Sequence, residues 1–131
     1  MPRTSELCDY VADRLSSLGT VTYRFMFGGY GIYLDGLMIA IVADDLLLLR
    51  ADEENRGEYE ERGIGPFQPF PEKGGKPMHT MPFYQVPDDV FEDQDELLRW
   101  AERSRAATLR NEERKAVKGK GGGRKKAKGS G

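Results

Sequence analysis

The sequence predicts an α+β domain in which an antiparallel β-meander sheet is flanked by helices. Three observations predict this fold: an amphipathic helical pattern before residue 19, four short strand patterns between residues 21 and 50, and a second helical pattern after Asp93. The chain has 131 residues, of which 38% are hydrophobic, and this allows one core but not two ordinary domains. We therefore assign residues 1–113 to one domain and residues 114–131 to a tail.

The first predicted element is a helix from about Ser5 to Leu18, which Gly19 ends. Its apolar residues recur at the spacing of one helix face: Leu7, Val11, Leu15 and Leu18. Cys8 lies beside this face and is the only cysteine of the chain, which excludes an internal disulfide. We expect Cys8 to be a small core side chain and not a nucleophile.

Four strands are predicted next, at about residues 21–27, 30–34, 37–42 and 46–50. Asp35-Gly36 and Asp44-Asp45 are turns short enough to make consecutive strands antiparallel neighbours. The third and fourth strand patterns are apolar at nearly every position, which is typical of strands that are buried on both faces. We therefore expect helices to cover both faces of the sheet centre.

A short charged helix is predicted over residues 52–62, with Tyr59 as its inward-facing anchor. Three prolines within residues 66–71 then interrupt regular structure with a loop. A further strand is predicted over residues 78–86. Because Pro82 cannot donate a hydrogen bond to a neighbouring strand, this strand should lie at a sheet edge or contain a bulge.

The last predicted element is a long helix over about residues 94–113. Asp93 is positioned to cap its first turn, and Glu96 is positioned to complete a capping box. The residues that share its apolar face are Leu97, Trp100, Ala101, Ser104, Ala107 and Thr108. Among these, Trp100 is the expected anchor in the core.

Charge divides the chain into two unlike parts. Residues 1–113 hold 12 Lys/Arg and all 22 Asp/Glu, a balance of −10, whereas the tail holds eight Lys/Arg and no acid. The tail has too few apolar side chains to offset the entropy of ordering, so residues 118–131 are expected to be disordered. The candidate nucleic-acid contacts are Arg114, Lys115, Lys118, Lys120, Arg124, Lys125, Lys126 and Lys128. The alternatives are a solubilising appendage and a tail that folds back on the acidic domain.

The sequence shows no constellation of catalytic or metal-binding residues. Gly28-Gly29-Tyr30-Gly31 precedes a strand and lacks the Lys-Ser/Thr ending of a phosphate-binding loop. His79 is the only histidine; no cysteine lies near it in sequence, and the chain has no Gly-x-Ser-x-Gly nucleophile elbow. The carboxylate runs do not match a calcium loop. We therefore predict no enzymatic activity, no cofactor and no metal.

An ordered set of motifs resembles the N-terminal domain of the TfoX family of competence regulators. The set comprises Met26-Phe27-Gly28-Gly29-Tyr30-Gly31-Ile32-Tyr33, Asp35-Gly36, Leu48-Leu49-Arg50, Lys73-Gly74, Met81-Pro82-Phe83-Tyr84, Val86-Pro87 and Trp100-Ala101. The resemblance covers about residues 5–108. It implies an α+β domain without known enzymatic activity that regulates genes for DNA uptake together with the cyclic-AMP receptor protein.

The long family members carry a second, helical domain where this chain has its basic tail. The resemblance offers no catalytic residues, and it marks seven positions only as structural or partner-surface candidates: Phe27, Gly28, Gly29, Tyr30, Gly31, Tyr33 and Trp100. By the same resemblance, the protein partner is a regulator of the cyclic-AMP receptor protein type or the transcription machinery.

The sequence thus favours a non-enzymatic regulatory protein that acts through protein contacts, aided by non-specific binding of nucleic acid to the tail. No run approaches the roughly 20 apolar residues of a membrane helix, so we expect a soluble, cytoplasmic protein. Two alternatives stay open. One is a small-ligand-binding or enzymatic domain with a cleft near Gly28-Gly29-Tyr30 and His79. The other is an oligomerising domain that pairs through an exposed edge strand.

Overall fold

The computed structural model describes residues 2–26, 29–68 and 81–121. Across these ranges an antiparallel sheet packs with helices, which confirms the predicted α+β fold. The elements are α1 (Pro2–Arg14), a 3-10 turn (Ser16–Leu18), β1 (Val21–Met26), β2 (Gly29–Leu34), β3 (Leu37–Ala43), β4 (Leu46–Arg50), α2 (Gly57–Glu60), β5 (Pro66–Phe67), β6 (Met81–Gln85), α3 (Asp88–Glu92) and α4 (Gln94–Gly121). The strand order is β1-β2-β3-β4-β6-β5, so β1 to β4 form the predicted meander.

The first helix is shorter than its apolar pattern predicts. It ends at Arg14, and residues 16–18 form a single 3-10 turn. The Ser16 hydroxyl donates to the carbonyl oxygen of Asp13 at 2.8 Å, a local bond of the kind that competes with helix continuation. The predicted buried face is confirmed by three fully buried side chains: Cys8, Val11 and Leu15.

Both predicted hairpin turns are tight and place two consecutive residues at positive φ. Asp35 and Gly36 have φ angles of 50° and 86°, and Asp44 and Asp45 have φ angles of 54° and 60°. Such a pair is typical of a type I′ turn, whose twist matches that of the flanking antiparallel strands. Aspartate tolerates this region better than most residues with a side chain.

Asp35 also joins two distant segments to the β2–β3 hairpin. Its Oδ1 accepts the backbone N–H of Thr20 at 2.9 Å, and its own N–H donates to the Thr20 carbonyl at 2.8 Å. Its Oδ2 lies 3.5 Å from Nη1 of Arg105 in α4. Gly19 leaves room for this carboxylate, because a Cβ there would lie 2.5 Å from Asp35 Oδ2.

The two faces of the sheet are covered differently. The face that we call the helix face carries the main core, to which all four described helices contribute through Cys8, Tyr59, Val90 and Leu97. On the opposite face, Ile41, Leu48 and Phe83 are buried against Met38, Ala43, Phe67 and Met81. The prediction that helices cover both faces is wrong for the described ranges, because the second cluster there consists of strand residues.

Aromatic rings fill the centre of the helix face. Tyr59 is 1% exposed and stacks on Tyr84 with ring centroids 5.0 Å apart, while Trp100 meets Tyr59 edge-on at 4.9 Å. Both predicted anchors, Tyr59 and Trp100, are therefore confirmed as core residues. The helix that carries Tyr59 is short, because Asn55 Oδ1 accepts the N–H of Asp52 at 2.7 Å and holds the preceding residues in turns.

Pro82 lies at an irregularity of the ladder. Strand β6 runs between β4 and the two-residue β5, so the expectation of an edge position for β6 is wrong. Pro66 pairs with Tyr84 and Phe67 with Met81, and the register shifts between these pairs, so the predicted bulge is confirmed. Residues 69–80, with the rest of the predicted proline loop and His79, lie outside the described residues.

Helix α3 was not predicted from the sequence, because it is short and has only one buried residue, Val90. It follows Pro87, whose extended conformation (ψ 148°) is compatible with the position before a helix. Asp88 and Asp89 lie in its first turn, where negative side chains are favourable.

The start of α4 is as predicted, but its end is not. Asp93 Oδ1 accepts the N–H of Glu96 at 3.1 Å, which confirms the cap. The Glu96 carboxylate accepts a bond from Trp100 Nε1 at 3.2 Å and pairs with Arg99, so it does not act as a capping-box partner. The helix continues past residue 113 to Gly121, and residues 118–121, expected to be disordered, belong to it.

Candidate functional site

The two described glycines of the candidate surface are fixed by their neighbours in the sheet. A Cβ on Gly29 would lie 2.4 Å from the carbonyl oxygen of Val42, and one on Gly31 would lie 2.8 Å from Sδ of Met38. Glycine at position 29 therefore permits close approach of the β2 and β3 backbones, and glycine at position 31 leaves room for the Met38 side chain. A ligand cleft at these glycines would need space that the described neighbours already occupy. Phe27 and Gly28 lie outside the described residues.

An aromatic ladder lies on the helix face at the β1 end of the sheet. The ring of Tyr30 meets Tyr23 edge-on at 5.6 Å and Phe25 at 5.5 Å. The Tyr23 hydroxyl donates to Oδ1 of Asp9 in α1 at 2.5 Å, and this bond, followed by burial, raises the pKa of Tyr23 to about 12. Phe25 is the outermost ring and is 66% exposed.

Two arginines lie over aromatic rings on the opposite face. The guanidinium carbon of Arg24 is 5.2 Å from the Tyr33 ring centroid, and that of Arg50 is 5.1 Å from the Phe83 ring centroid. These are cation–π distances. The half-buried Tyr33 therefore combines an accessible ring with a fixed positive charge, which suits a partner surface.

Trp100 does not belong to the same surface as the glycine strand. It is 4% exposed and packs against Tyr59 on the helix face. The guanidinium carbon of Arg62 lies 5.2 Å from its ring centroid. This location supports the structural alternative for Trp100 and leaves Tyr30 and Tyr33 as the described aromatic candidates for partner contact.

The predicted nucleic-acid contacts begin on α4. We call residues 114–121 the basic arm. Arg114 and Lys115 are exposed, and Lys115 Nζ lies 3.6 Å from Oε2 of Glu112, an exposed pair that contributes little. Lys118 and Lys120 belong to the same helix. The remaining candidates lie outside the described residues: Arg124, Lys125, Lys126 and Lys128.

A bidentate ion pair anchors α4 just before the basic arm. Arg110 donates from Nε to Oδ2 of Asp52 at 2.7 Å and from Nη2 to Oδ1 at 2.8 Å. The bonds from Arg110 hold the pKa of Asp52 below its usual value, and Asp52 raises the pKa of Arg110. Glu54 also reaches Arg110, at 3.4 Å. No sequence pattern predicts this pair, since the partners are 58 residues apart.

Arg50, which entered the sequence analysis only within the motif Leu48-Leu49-Arg50, lies beside this anchor. Burial lowers its pKa, against the opposing effects of Glu112 and Asp52. Its Nε atom is buried and has no hydrogen-bond partner among the residues that the structure describes. With Arg56, Asn111 and Arg114 it lines a cavity of about 260 Å³ at the base of the basic arm.

Two other kinds of candidate site, a reactive Cys8 thiol and a metal site, have little support in the part of the chain that the structure describes. Cys8 is fully buried, and burial, followed by the charge of Asp9, raises its pKa to about 11. This matches the expected core role. Within the described ranges, no group of three His, Cys, Asp or Glu side chains could hold a metal ion. No helix in these ranges is both long and apolar enough to cross a membrane.

The meander, its one-sided helical layer and its glycine-dependent strand pairing define a class of small α+β sheet domains. The chain belongs to the TfoX N-terminal domain family, whose model matches residues 13–108. It is 31% identical over 96 residues to Protein Sxy of Escherichia coli (strain K12). That alignment covers 73% of this chain and 44% of Sxy, so the chain spans less than half the length of this curated relative.

Proposed function

We propose that this chain is a non-enzymatic, cytoplasmic regulator of the competence type that acts through protein contacts and is aided by binding of nucleic acid to its basic tail. Membership of the TfoX N-terminal domain family supports the regulatory class. The protein partner is a regulator of the cyclic-AMP receptor protein type or the transcription machinery. The activity requires no cofactor.

The observation that carries this proposal is the continuity of α4. One helix runs from the core residue Trp100 through Arg110 to the basic arm. The first tail cations, Arg114 and Lys115, are therefore joined to the domain by continuous helix and not by a loop. A flexible appendage with a purely solubilising role would not require this attachment.

The charge distribution favours nucleic-acid binding at the arm and protein contact at the domain. Residues 1–113 carry a balance of −10 and repel phosphate, whereas residues 114–131 attract it. Nucleic acid is thus confined to the arm and the tail beyond it. The sheet stays free to contact protein, for which Tyr33 and Arg24 on the opposite face are the described candidates.

The contact of the tail with DNA and the contact of the sheet with a partner protein are each weak, but they reinforce each other. When the tail holds DNA, a partner protein on the same DNA is at high effective concentration near the sheet. The second contact then becomes an intramolecular event and needs little intrinsic affinity. This is the behaviour expected of a co-regulator whose own contact with DNA does not depend on the base sequence.

The test is fluorescence anisotropy on duplex DNA across a salt series. With all eight tail cations engaged, the slope of log affinity against log salt should approach about −7. Changing Arg114, Lys115, Lys118 and Lys120 to Gln should reduce it to about −4. A truncation after residue 113 should abolish binding.

A matched control comes from the same helix. Arg99 is an exposed cation that pairs with Glu96 on the core-facing half of α4, so Arg99→Gln should leave the slope unchanged. Equal slopes for the full chain and the four-Gln variant would refute the role of the arm. A full chain that does not bind DNA at low salt would refute the nucleic-acid part of the proposal altogether.

A further inference from the structure

Strand β1 forms a regular edge of the sheet. It pairs with β2 through six consecutive residue pairs, from Val21–Leu34 to Met26–Gly29, without a register shift. In the described ranges no other strand pairs with it. Natural edge strands are usually protected by proline, bulges or several charges, and β1 has no proline, no bulge and one charge, Arg24.

The free backbone groups of this edge can be assigned. The Asp35 N–H bonds to the Thr20 carbonyl, so Thr20 directs its backbone groups toward β2. Along an antiparallel strand this direction alternates with each residue. The N–H and C=O groups of Val21, Tyr23 and Phe25 therefore point away from the sheet.

The same strand lies in the least charged part of an acidic domain. Residues 15–34 contain no Asp or Glu and only one Lys or Arg, while residues 1–113 contain 22 acids. Two copies of a domain with a balance of −10 repel each other at most orientations. An approach through β1 brings together two strands that carry one positive charge each and the exposed ring of Phe25. The nearby carboxylates of Asp9 and Asp35 already accept hydrogen bonds from Tyr23 and Thr20.

We propose that β1 pairs with β1 of a second copy of this chain, antiparallel, about a two-fold axis at Tyr23. The N–H and C=O groups of Val21 then bond those of Phe25 in the other copy, and Tyr23 bonds its own counterpart. The two sheets become one continuous sheet. The interface is isologous, as in most homodimers.

The outward-pointing backbone groups of β1 permit several pairing registers, and the side chains favour the register with Tyr23 at the axis. A shift in one direction places Arg24 directly opposite Arg24, which is unfavourable. A shift in the other direction leaves Phe25 beyond the paired segment. With Tyr23 at the axis, Arg24 lies opposite the neutral Thr22, and the apolar ladder continues across the axis through Val21 and Phe25.

Cysteine cross-linking tests the register. Thr22 and Arg24 are exposed, and in the proposed dimer they form a non-hydrogen-bonded pair with Cα atoms about 4.5 Å apart, a separation that a disulfide can span. A mixture of Thr22→Cys and Arg24→Cys proteins should form a mixed cross-linked dimer under mild oxidation. Neither variant alone should cross-link. Preferential homodimers of either variant, or no cross-link in the mixture, would overturn the proposed pairing.

Analytical ultracentrifugation of the full chain provides a second, independent readout. The wild type should sediment in a monomer–dimer equilibrium. Thr22→Glu, opposite Arg24, should tighten dimerisation up to about tenfold, and Thr22→Arg should weaken it by a similar factor. Gln85→Glu, an exposed change on β6, is the control and should have no effect. A monomer at every concentration would overturn the proposal, whatever the outcome of the DNA experiment.

Discussion

The two halves of α4 have the same backbone conformation but opposite environments. In the half up to residue 108, Leu97, Trp100 and Ala101 are at most 4% exposed. In the half beyond it, Leu109 and Val117 are 44% and 71% exposed. The ion pair between Asp52 and Arg110 lies close to the boundary.

This difference shows that one helix can serve two purposes when packing supports only part of it. Helix stability in proteins comes mainly from packing of an apolar face, and an unsupported segment is marginal in water. The first half of α4 therefore stabilises the domain. The second half depends on the first for its conformation and is free to present charge.

The largest expected effect is in the packed half. Trp100→Ala should destabilise the domain by about 3–5 kcal/mol, because it opens a cavity between Tyr59 and Arg62. Urea unfolding followed by far-ultraviolet circular dichroism measures this loss. Arg99→Ala, one residue away and exposed, should cost less than about 0.5 kcal/mol. Equal losses for the two variants would contradict the core role of Trp100.

An intermediate effect is expected at the boundary. Asp52→Asn should cost about 1–3 kcal/mol at neutral pH, because it removes charge-assisted bonds from Arg110. The folded pKa of Asp52 is lowered, so its stabilisation is present above the unfolded pKa and is lost as pH falls through the folded pKa.

The measurement is urea unfolding of the wild type and of Asp52→Asn over a series of pH values from neutral into the acid range. The two stability curves should converge at the acid end of the series. A double-mutant cycle with Arg110→Gln should show coupling of at least about 0.5 kcal/mol. A constant difference at every pH would mean that the charge of Asp52 does not contribute.

The smallest effect on stability is expected in the basic arm. Ala116→Pro should break the local helix, yet global unfolding should change by less than about 0.5 kcal/mol, because residues 114–117 are exposed. Amide hydrogen exchange should show faster exchange in the arm alone. A large loss of global stability would show that the arm packs on the domain. It would contradict the distinction between a packed and an unpacked half of α4.

The contrast between these halves was only partly predictable from the sequence. The apolar spacing around Trp100 identified the packed half and its cap at Asp93, because both are local patterns. The extension to Gly121 was missed, because a Lys-rich and Gly-rich composition was expected to be disordered. The ion pair of Arg110 with Asp52, which holds α4 on the domain just before this extension, joins residues 58 positions apart and is not revealed by sequence spacing.

The structure of the sheet was also only partly predictable from the sequence. The Asp-containing turns predicted the meander correctly, since turn chemistry is local. The run Leu46-Leu47-Leu48-Leu49 shows no alternation, so it could not reveal that the helices of the described ranges lie on one face of the sheet. For the candidate site, the resemblance placed Trp100 in one set with the glycine strand, as structural or partner-surface positions. Burial separates Trp100 from that set.

The contacts of Asp35 and Trp100 have a consequence for how the protein is made. The β2–β3 hairpin and its Asp35 tip leave the ribosome long before Arg105, and Tyr59 leaves before Trp100. Until α4 has emerged, the helix face of the sheet therefore lacks its last covering layer. Because a domain of this size folds as a unit, it reaches its native state only after α4 has emerged. A ribosome-stalled chain that exposes only residues 1–92 should accordingly be sensitive to protease, and one that also exposes α4 should be resistant.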